Sequence, residues 1–175
     1  MRIPAAKIAV VALTGLMAYQ LLALTRDDRV TPLLPGDQID LRSFDKSSRS
    51  VLETAQIPCL VLWVMDPACS ACRRLAQEKG TWVASTPGFF WAFVGDDQDV
   101  GEFVRQYALN ERQVLRLRPK KDKGAAFRSV RVVATPTRIV ARRSDWVATE
   151  VRVLNAELLE EPARYDTMKC QATAE

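Results

Sequence analysis

The pattern of apolar positions predicts two buried strands in the middle of the chain. Residues 57–65, IPCLVLWVM, and residues 89–95, FFWAFVG, are continuous apolar runs with β-branched and aromatic side chains. Such runs are typical of central strands that are covered on both faces of a sheet. Asp66 and Pro67 end the first run. We therefore expect both segments to lie side by side in one sheet.

Helix-forming segments follow both of these strands. The segment CSACRRLAQEKG contains good helix formers, and we expect its helix to end at Gly80, which would serve as a C-terminal cap. The segment DDQDVGEFVRQYAL places Val100, Phe103, Val104 and Tyr107 at helical spacing. The chain thus alternates between strand and helix over this part.

Weaker patterns predict the remaining elements of the domain. Alternation at Ile39 and Leu41 indicates a short hairpin at the start of the domain. The stretch QVLRLRPKKDKG indicates a short strand that runs into a basic loop, and AAFRSV indicates a short helix. Two strands around the polar turn RRSD are expected after Pro136. This order favours an α/β or α+β sheet with helices on its faces.

The N-terminal stretch has the length and composition of a membrane-spanning helix. No charged residue occurs from Ile8 to Leu24, and extension back to Ala5 gives about 20 residues, or about 30 Å of helix. Arg2 and Lys7 precede this apolar run, so the positive-inside rule favours a cytoplasmic N-terminus and a domain outside the cytoplasm. A cleaved signal peptide and a buried helix are the alternatives to an uncleaved anchor.

These boundaries give a four-part organisation. Residues 1–24 form an N-terminal membrane anchor, with lipid contact through residues 5–24, and residues 25–36, TRDDRVTPLLPG, form a linker. The folded domain covers residues 37–155, and residues 156–175 form a polar C-terminal tail. The expected location is the cell inner membrane, crossed once, with the domain on the periplasmic, oxidising side.

Composition excludes several kinds of chemistry. The chain of 175 residues has a net charge of +4, four cysteines and no histidine. Zinc sites with histidine ligands and nucleophile–histidine pairs are therefore excluded. We expect no metal and no cofactor. The basic residues between 116 and 123 are interpreted as a solvated loop or a contact for anionic lipid or an acidic partner, and no nucleic-acid partner is expected.

The cysteine pair in DPACSACRRL, residues 66–75, is the candidate reactive site. Cys69 falls where a central strand passes into a helix, and Cys72 lies one turn further along. Free N–H groups at a helix start, together with Arg73 and Arg74, favour a thiolate at Cys69. Cys69 would attack a disulfide, and Cys72 would resolve the mixed disulfide. Half of a zinc site, a structural disulfide and an inert pair of core cysteines are the alternatives.

The stretches CLVLWVMDPACSACRRL and ATPTRIV resemble the thioredoxin superfamily over about residues 36 to 155. The chain is similar in particular to membrane-anchored thiol–disulfide proteins of the TlpA/ResA type, and DPACSACRRL also to those of the MauD type. The resemblance implies a thioredoxin-like α/β fold, a central mixed sheet flanked by helices, behind an N-terminal transmembrane helix. It also implies a cis peptide bond between Thr135 and Pro136 that faces the cysteines, with the Thr135 backbone open to an extended partner segment. Ala68 departs from the family, which has an aromatic residue at that position.

The remaining candidate residues are Asp66, Cys59 and Cys170. Asp66 precedes the active turn and either shapes that turn or relays a proton. Cys59 is expected to be a small buried hydrophobe within the core strand. Cys170, in the tail, has either a free thiol, a bond to another chain or a bond to Cys59.

The resulting hypothesis is a membrane-anchored thiol–disulfide oxidoreductase that exchanges disulfides with partner proteins through Cys69 and Cys72. By resemblance, it would reduce or isomerise a partner during maturation of a cytochrome or another membrane-associated enzyme. The alternative is a non-catalytic thioredoxin-like subunit that docks within a larger membrane protein complex. The absence of the family's aromatic residue at position 68 favours that alternative.

Overall fold

The computed structural model describes residues 31–118 and 123–154. These residues belong to one compact unit that begins at Thr31. The predicted anchor, residues 1–24, and the predicted tail, residues 156–175, lie outside the described residues. None of the helices within the described ranges combines the length and the apolar character that a bilayer crossing requires.

The described residues form an alternating series of strands and helices. The strands are β1 (Cys59–Met65), β2 (Phe89–Phe93), β3 (Val114–Arg116), β4 (Thr137–Arg142) and β5 (Val147–Val153). The helices are α1 (Lys46–Thr54), α2 (Ser70–Ser85), α3 (Asp97–Gln106) and α4 (Lys123–Val130), with short 3₁₀ turns at Leu41–Ser43 and Glu111–Gln113. The two buried strands and the helices that follow them are therefore confirmed.

The five strands form one mixed sheet in the order β3-β2-β1-β4-β5. β1 pairs in parallel with β2, and β2 pairs in parallel with β3. β4 runs antiparallel to β1 and to β5. The register pairs Val64 of β1 with Thr137 of β4. The end of β1 and the start of β4 therefore meet at the same edge of the sheet.

Apolar side chains cover both faces of the sheet. One core contains Val61, Trp63 and Met65 of β1 and is covered by α2 and α3. The other contains Leu60 and Leu62 of β1 and is covered by α1 and α4. Every residue of β1 and of β2 is buried, as expected for strands covered on both faces.

The sequence wrongly predicted a hairpin at the start of the domain. A 3₁₀ turn and α1 occupy this region, because two aspartates act as N-caps. Asp40 accepts the Arg42 N–H at 2.9 Å, and Asp45 accepts the Ser48 N–H at 2.6 Å. Such capping satisfies N–H groups that a helix start leaves free. The last part of the predicted linker, residues 31–36, lies against the domain, where Leu33 is buried.

The predicted helix end at Gly80 was also wrong, because α2 continues to Ser85. Gly80 is buried, and a Cβ placed on it would lie 3.2 Å from Cδ2 of Leu109. The glycine therefore allows close packing of α2 against the segment after α3. It does not cap the helix.

The architecture is a thioredoxin-like α/β fold. Its mixed sheet, with helices on both faces, agrees with the fold that the resemblance implied. A central parallel strand leads directly into a helix that begins with the cysteine pair, and an antiparallel strand enters beside it. This arrangement places the candidate site at one edge of the sheet.

Candidate active site

The site is built on the turn between β1 and α2. The Asp66 side chain accepts the N–H of Ala68 at 2.9 Å, and the Cys69 N–H donates to the Asp66 carbonyl oxygen at 3.0 Å. These bonds close a tight turn directly after the buried strand. Asp66 therefore shapes the turn that presents Cys69.

Cys69 is the N-cap residue of α2, and its sulfur occupies the place of a capping oxygen. The sulfur accepts the Cys72 backbone N–H at 3.2 Å, and the thiol donates to the Thr135 carbonyl oxygen at 3.4 Å. Cys69 is partly exposed, and both Cys69 and Cys72 are free thiols. The more accessible sulfur thus lies where free N–H groups of a helix stabilise negative charge.

Cys72 lies beneath Cys69, in the apolar core. It is 0% exposed and belongs to the same cluster as Leu75 and Met65. Burial, together with the hydrogen bond to Cys69, raises the pKa of Cys72 to about 12. Cys72 is therefore a neutral thiol in the ordinary pH range and is shielded from reagents in solution.

The loop before β4 lies beside the cysteines. The peptide bond between Thr135 and Pro136 is cis, as the resemblance implies. The Thr137 hydroxyl donates to the Ala134 carbonyl oxygen at 2.6 Å and holds the loop at the strand start. Val133 is 60% exposed just before this loop. The loop therefore passes from exposed residues at 133 and 134 to the half-buried Thr135, whose carbonyl oxygen contacts the reactive sulfur.

Arg73 supports the turn at its outer edge. Its side chain is exposed, and its guanidinium donates to the Ala68 carbonyl oxygen at 3.2 Å. The structure therefore brings together all the site residues that the sequence singled out. These residues are Asp66, Cys69, Cys72, Arg73, Thr135 and Pro136.

A groove beside Ala68 contains residues that the sequence did not indicate. It has a volume of about 240 Å³ and lies between the active turn and α3. Its lining residues are Pro67, Ala68, Arg73, Asp99, Glu102, Phe103 and Gln106. Ala68 was a signal for such a space, because a small side chain stands where the family has an aromatic one. The α3 wall was not foreseeable, since it depends on how two helices pack.

Cys59 differs from the expectation. It is buried at the start of β1, as predicted, but it is disulfide-bonded and not a free thiol. Cys170 lies outside the described residues. The sequence offered a bond at Cys59 only as one alternative, because a buried free cysteine and a buried disulfide cysteine have the same apolar neighbours.

The described residues contain no cluster of carboxylates and cysteines that could hold a metal ion. The site itself offers the chemistry of two thiols. One is exposed and hydrogen-bonded at a helix start, and the other is buried within reach of it.

Comparison with solved structures finds similar proteins at low identity. A secreted disulfide oxidoreductase of Mycobacterium tuberculosis, homologous to E. coli DsbE, is 21% identical, with a TM-score of 0.44 over 59% of this chain and 74% of that chain. A thioredoxin-related protein from Neisseria meningitidis serogroup B is 14% identical, with a TM-score of 0.45 over 61% of this chain and 80% of that chain. StoA from Bacillus subtilis is 16% identical, with a TM-score of 0.41 over 58% of this chain and 78% of that chain.

No family model and no curated protein matches the sequence. The thioredoxin-like assignment therefore rests on the strand order and on the position of the cysteines beside the cis-proline loop.

Proposed function

We propose that this chain is a thiol–disulfide oxidoreductase that exchanges disulfides with partner proteins through Cys69 and Cys72. The observation that carries the proposal is the pair of contacts at the Cys69 sulfur. The sulfur accepts the Cys72 N–H at 3.2 Å and lies 3.4 Å from the Thr135 carbonyl oxygen. The two cysteines and the loop before cis-Pro136 thus lie together, and this loop would receive the partner segment.

The exchange proceeds in two displacement steps. The Cys69 thiolate attacks one sulfur of a partner disulfide, forms a mixed disulfide and releases the first partner thiolate. Cys72 then attacks the Cys69 sulfur, which breaks the mixed disulfide, and its proton passes to the departing partner sulfur, which leaves as a thiol. The partner gains two electrons, and Cys69 and Cys72 become a disulfide that an external dithiol must reduce. The reverse sequence oxidises a partner dithiol.

We also propose that the domain works on the oxidising side of the cell inner membrane. The disulfide at Cys59 supports an oxidising compartment, since such bonds are rare in the cytosol. The apolar run at residues 5–24 supports attachment to lipid by a single crossing. Together with the cysteine pair, these features favour a TlpA/ResA-like protein that reduces or isomerises partners during maturation of a cytochrome or another membrane-associated enzyme.

Trapping of the mixed disulfide tests the proposed exchange. Cys72→Ser removes the resolving thiol, so partner proteins should remain attached to Cys69 and appear as adducts on non-reducing gels. Cys69→Ser is the matched control and should form none of these adducts. The proposal fails if Cys72→Ser forms no adducts, or if Cys69→Ser forms as many.

A further inference from the structure

The groove beside Ala68 lies between the active turn and α3, next to the residue that precedes the reactive cysteine. Ala68 directly precedes Cys69 and is exposed, so no large side chain closes the space between the active turn and α3. Pro67 lies on one side, and Phe103 of α3 lies on the other. A partner segment bonded to Cys69 would therefore place its neighbouring side chains at the mouth of this groove.

The α3 wall of the groove carries two carboxylates, Asp99 and Glu102. Both side chains are exposed, and Glu102 accepts a hydrogen bond from the Gln98 amide at 3.1 Å. Neither carboxylate forms an ion pair within the described part of the chain, whereas the nearby Asp97 pairs with Arg116 at 2.6 Å. The groove thus presents two carboxylates that have no ion-pair partner among the described residues.

The opposite edge of the groove carries one positive group. The Arg73 guanidinium is held by the Ala68 carbonyl oxygen at 3.2 Å. One guanidinium against two carboxylates leaves the groove locally negative, although the chain as a whole has a net charge of +4. This local charge is complementary to a cationic ligand.

We infer that the groove receives a lysine or arginine side chain that lies next to the reacting cysteine of the partner protein. This inference rests on the proposed function, because the mixed disulfide at Cys69 is what brings the partner to the groove. Lysine and arginine fit this groove, since their apolar stems can lie along Pro67 and Ala68 while their charged ends reach the carboxylates of α3. Partners with a basic residue beside the cysteine would thus react faster.

The expected preference for a basic partner is small, because both carboxylates are exposed. Exposed ion pairs are weak, so two of them should speed the reaction of a basic partner about five- to tenfold at low salt. Salt should reduce this preference, because both carboxylates are open to solvent.

The experiment uses three synthetic peptides that differ at one position. Each peptide carries its single cysteine as a mixed disulfide with 2-thiopyridine, and the residue beside that cysteine is Lys, Gln or Glu. The rate of thiopyridone release on reaction with the reduced full chain is measured by stopped flow. Uncharged 2,2′-dithiodipyridine reports the intrinsic reactivity of Cys69. We expect the order Lys, then Gln, then Glu, with the Lys peptide about five- to tenfold faster than the Gln peptide.

Five variants identify the source of the preference. Asp99→Asn with Glu102→Gln should abolish it, and the two single variants should each reduce it. Glu78→Gln with Glu111→Gln makes the same change in net charge at exposed sites outside the groove and should retain the preference. Ala68→Trp fills the groove while both carboxylates remain, and it should also remove the preference. All variants should react with 2,2′-dithiodipyridine.

Two failures can be told apart. If the wild-type chain reacts with 2,2′-dithiodipyridine but shows equal rates with the three peptides, the groove inference is wrong and the proposed function stands. The groove inference is also wrong if both double variants lose the preference equally. If the cysteine pair does not react with any disulfide, the proposed function is wrong and the inference fails with it.

Discussion

The sulfur of Cys69 lies 3.4 Å from the carbonyl oxygen of Thr135, although the two residues are 66 positions apart in the chain. Antiparallel pairing of β1 with β4 produces this contact, because it brings the end of one strand beside the start of the other. Two strands in the middle of the sheet therefore fix the reactive sulfur relative to the exposed backbone before cis-Pro136. We therefore predict a rigid site in which only one thiol is open to reagents.

Alkylation should distinguish the two thiols. At pH 8 iodoacetamide should label Cys69 and leave Cys72 largely unmodified, because Cys72 is fully buried and its pKa is raised to about 12. A thiol with a raised pKa remains protonated as pH rises, so labelling of Cys72 should increase only as pH approaches that value. Peptide mass spectrometry gives both labelling rates. Equal labelling in the native protein would refute the assignment, and guanidinium-unfolded protein, labelled at both sites, is the control.

Substitution of Asp66 should separate its two interpretations. The Asp66 side chain accepts the Ala68 N–H at 2.9 Å, which asparagine can also do. If Asp66 shapes the turn, Asp66→Asn should keep the exchange rate near the wild-type value, and Asp66→Ala should lower the free energy of unfolding by about 1 kcal/mol. A proton relay would instead make both variants slow and would change the pH dependence of the exchange rate. Disulfide exchange rates across pH, with thermal unfolding, provide the measurement.

The disulfide at Cys59 should be separate from the reactive pair. Proteolytic mapping without reductant should find Cys59 linked to Cys170, and mild dithiothreitol should reduce the Cys69–Cys72 pair first, since Cys59 is only 4% exposed. Cys59→Ser should lower the free energy of unfolding by about 2 to 4 kcal/mol while Cys69 remains reactive. A bond between Cys59 and a second chain, seen as a covalent dimer, would contradict this prediction.

The ion pair between Arg138 and Glu150 should stabilise the sheet. Arg138 is 2% exposed on β4, and its guanidinium contacts the Glu150 carboxylate on β5. Glu150→Gln removes one carboxylate that contacts a buried positive charge, so the free energy of unfolding should fall by about 2 to 3 kcal/mol. Urea unfolding measures the change, with the exposed Glu111→Gln as a matched control. Equal stability of the two variants would show that the ion pair contributes little.

Membrane attachment should depend on the N-terminal apolar run. The full chain, produced in a bacterium, should sediment with membranes and resist extraction by carbonate, because residues 5–24 are long enough to cross the bilayer. Deletion of residues 1–30 should release the protein from membranes. If expression of the full-length sequence instead gives a soluble protein that lacks its N-terminal residues, the apolar run is a cleaved signal peptide.

The two central strands were predictable because a strand that is buried on both faces has apolar residues at every position. β1 and β2 are uninterrupted apolar runs of 7 and 5 residues, a length that is typical of strands and short for a buried helix. The hairpin prediction failed because aspartate is common both in turns and at helix starts. Asp40 and Asp45 proved to be N-caps. The predicted helix end at Gly80 failed because glycine occurs both at helix ends and at close packing contacts. Here Gly80 lies at a close contact with Leu109.

The sequence predicted the part of the candidate site whose residues are adjacent along the chain. It did not predict the part that helix packing brings together. Cys69 and Cys72 lie at a strand-to-helix junction that can be read from adjacent residues. The acidic wall of the groove could not be predicted, because Asp99 and Glu102 have the pattern of a solvated helix face. Their proximity to Ala68 depends on how α3 packs beside the active turn.

The most direct test of the central claim is a redox titration of the Cys69–Cys72 pair in the purified chain. Protein is equilibrated in thiol–disulfide buffers and quenched by alkylation, and mass spectrometry gives the oxidised fraction. We expect a reversible two-electron transition in the folded protein, with a midpoint between about −270 and −120 mV, the span of known oxidoreductases. A pair that resists reduction until the domain unfolds, or that stays a dithiol in every buffer, would contradict the proposed exchange.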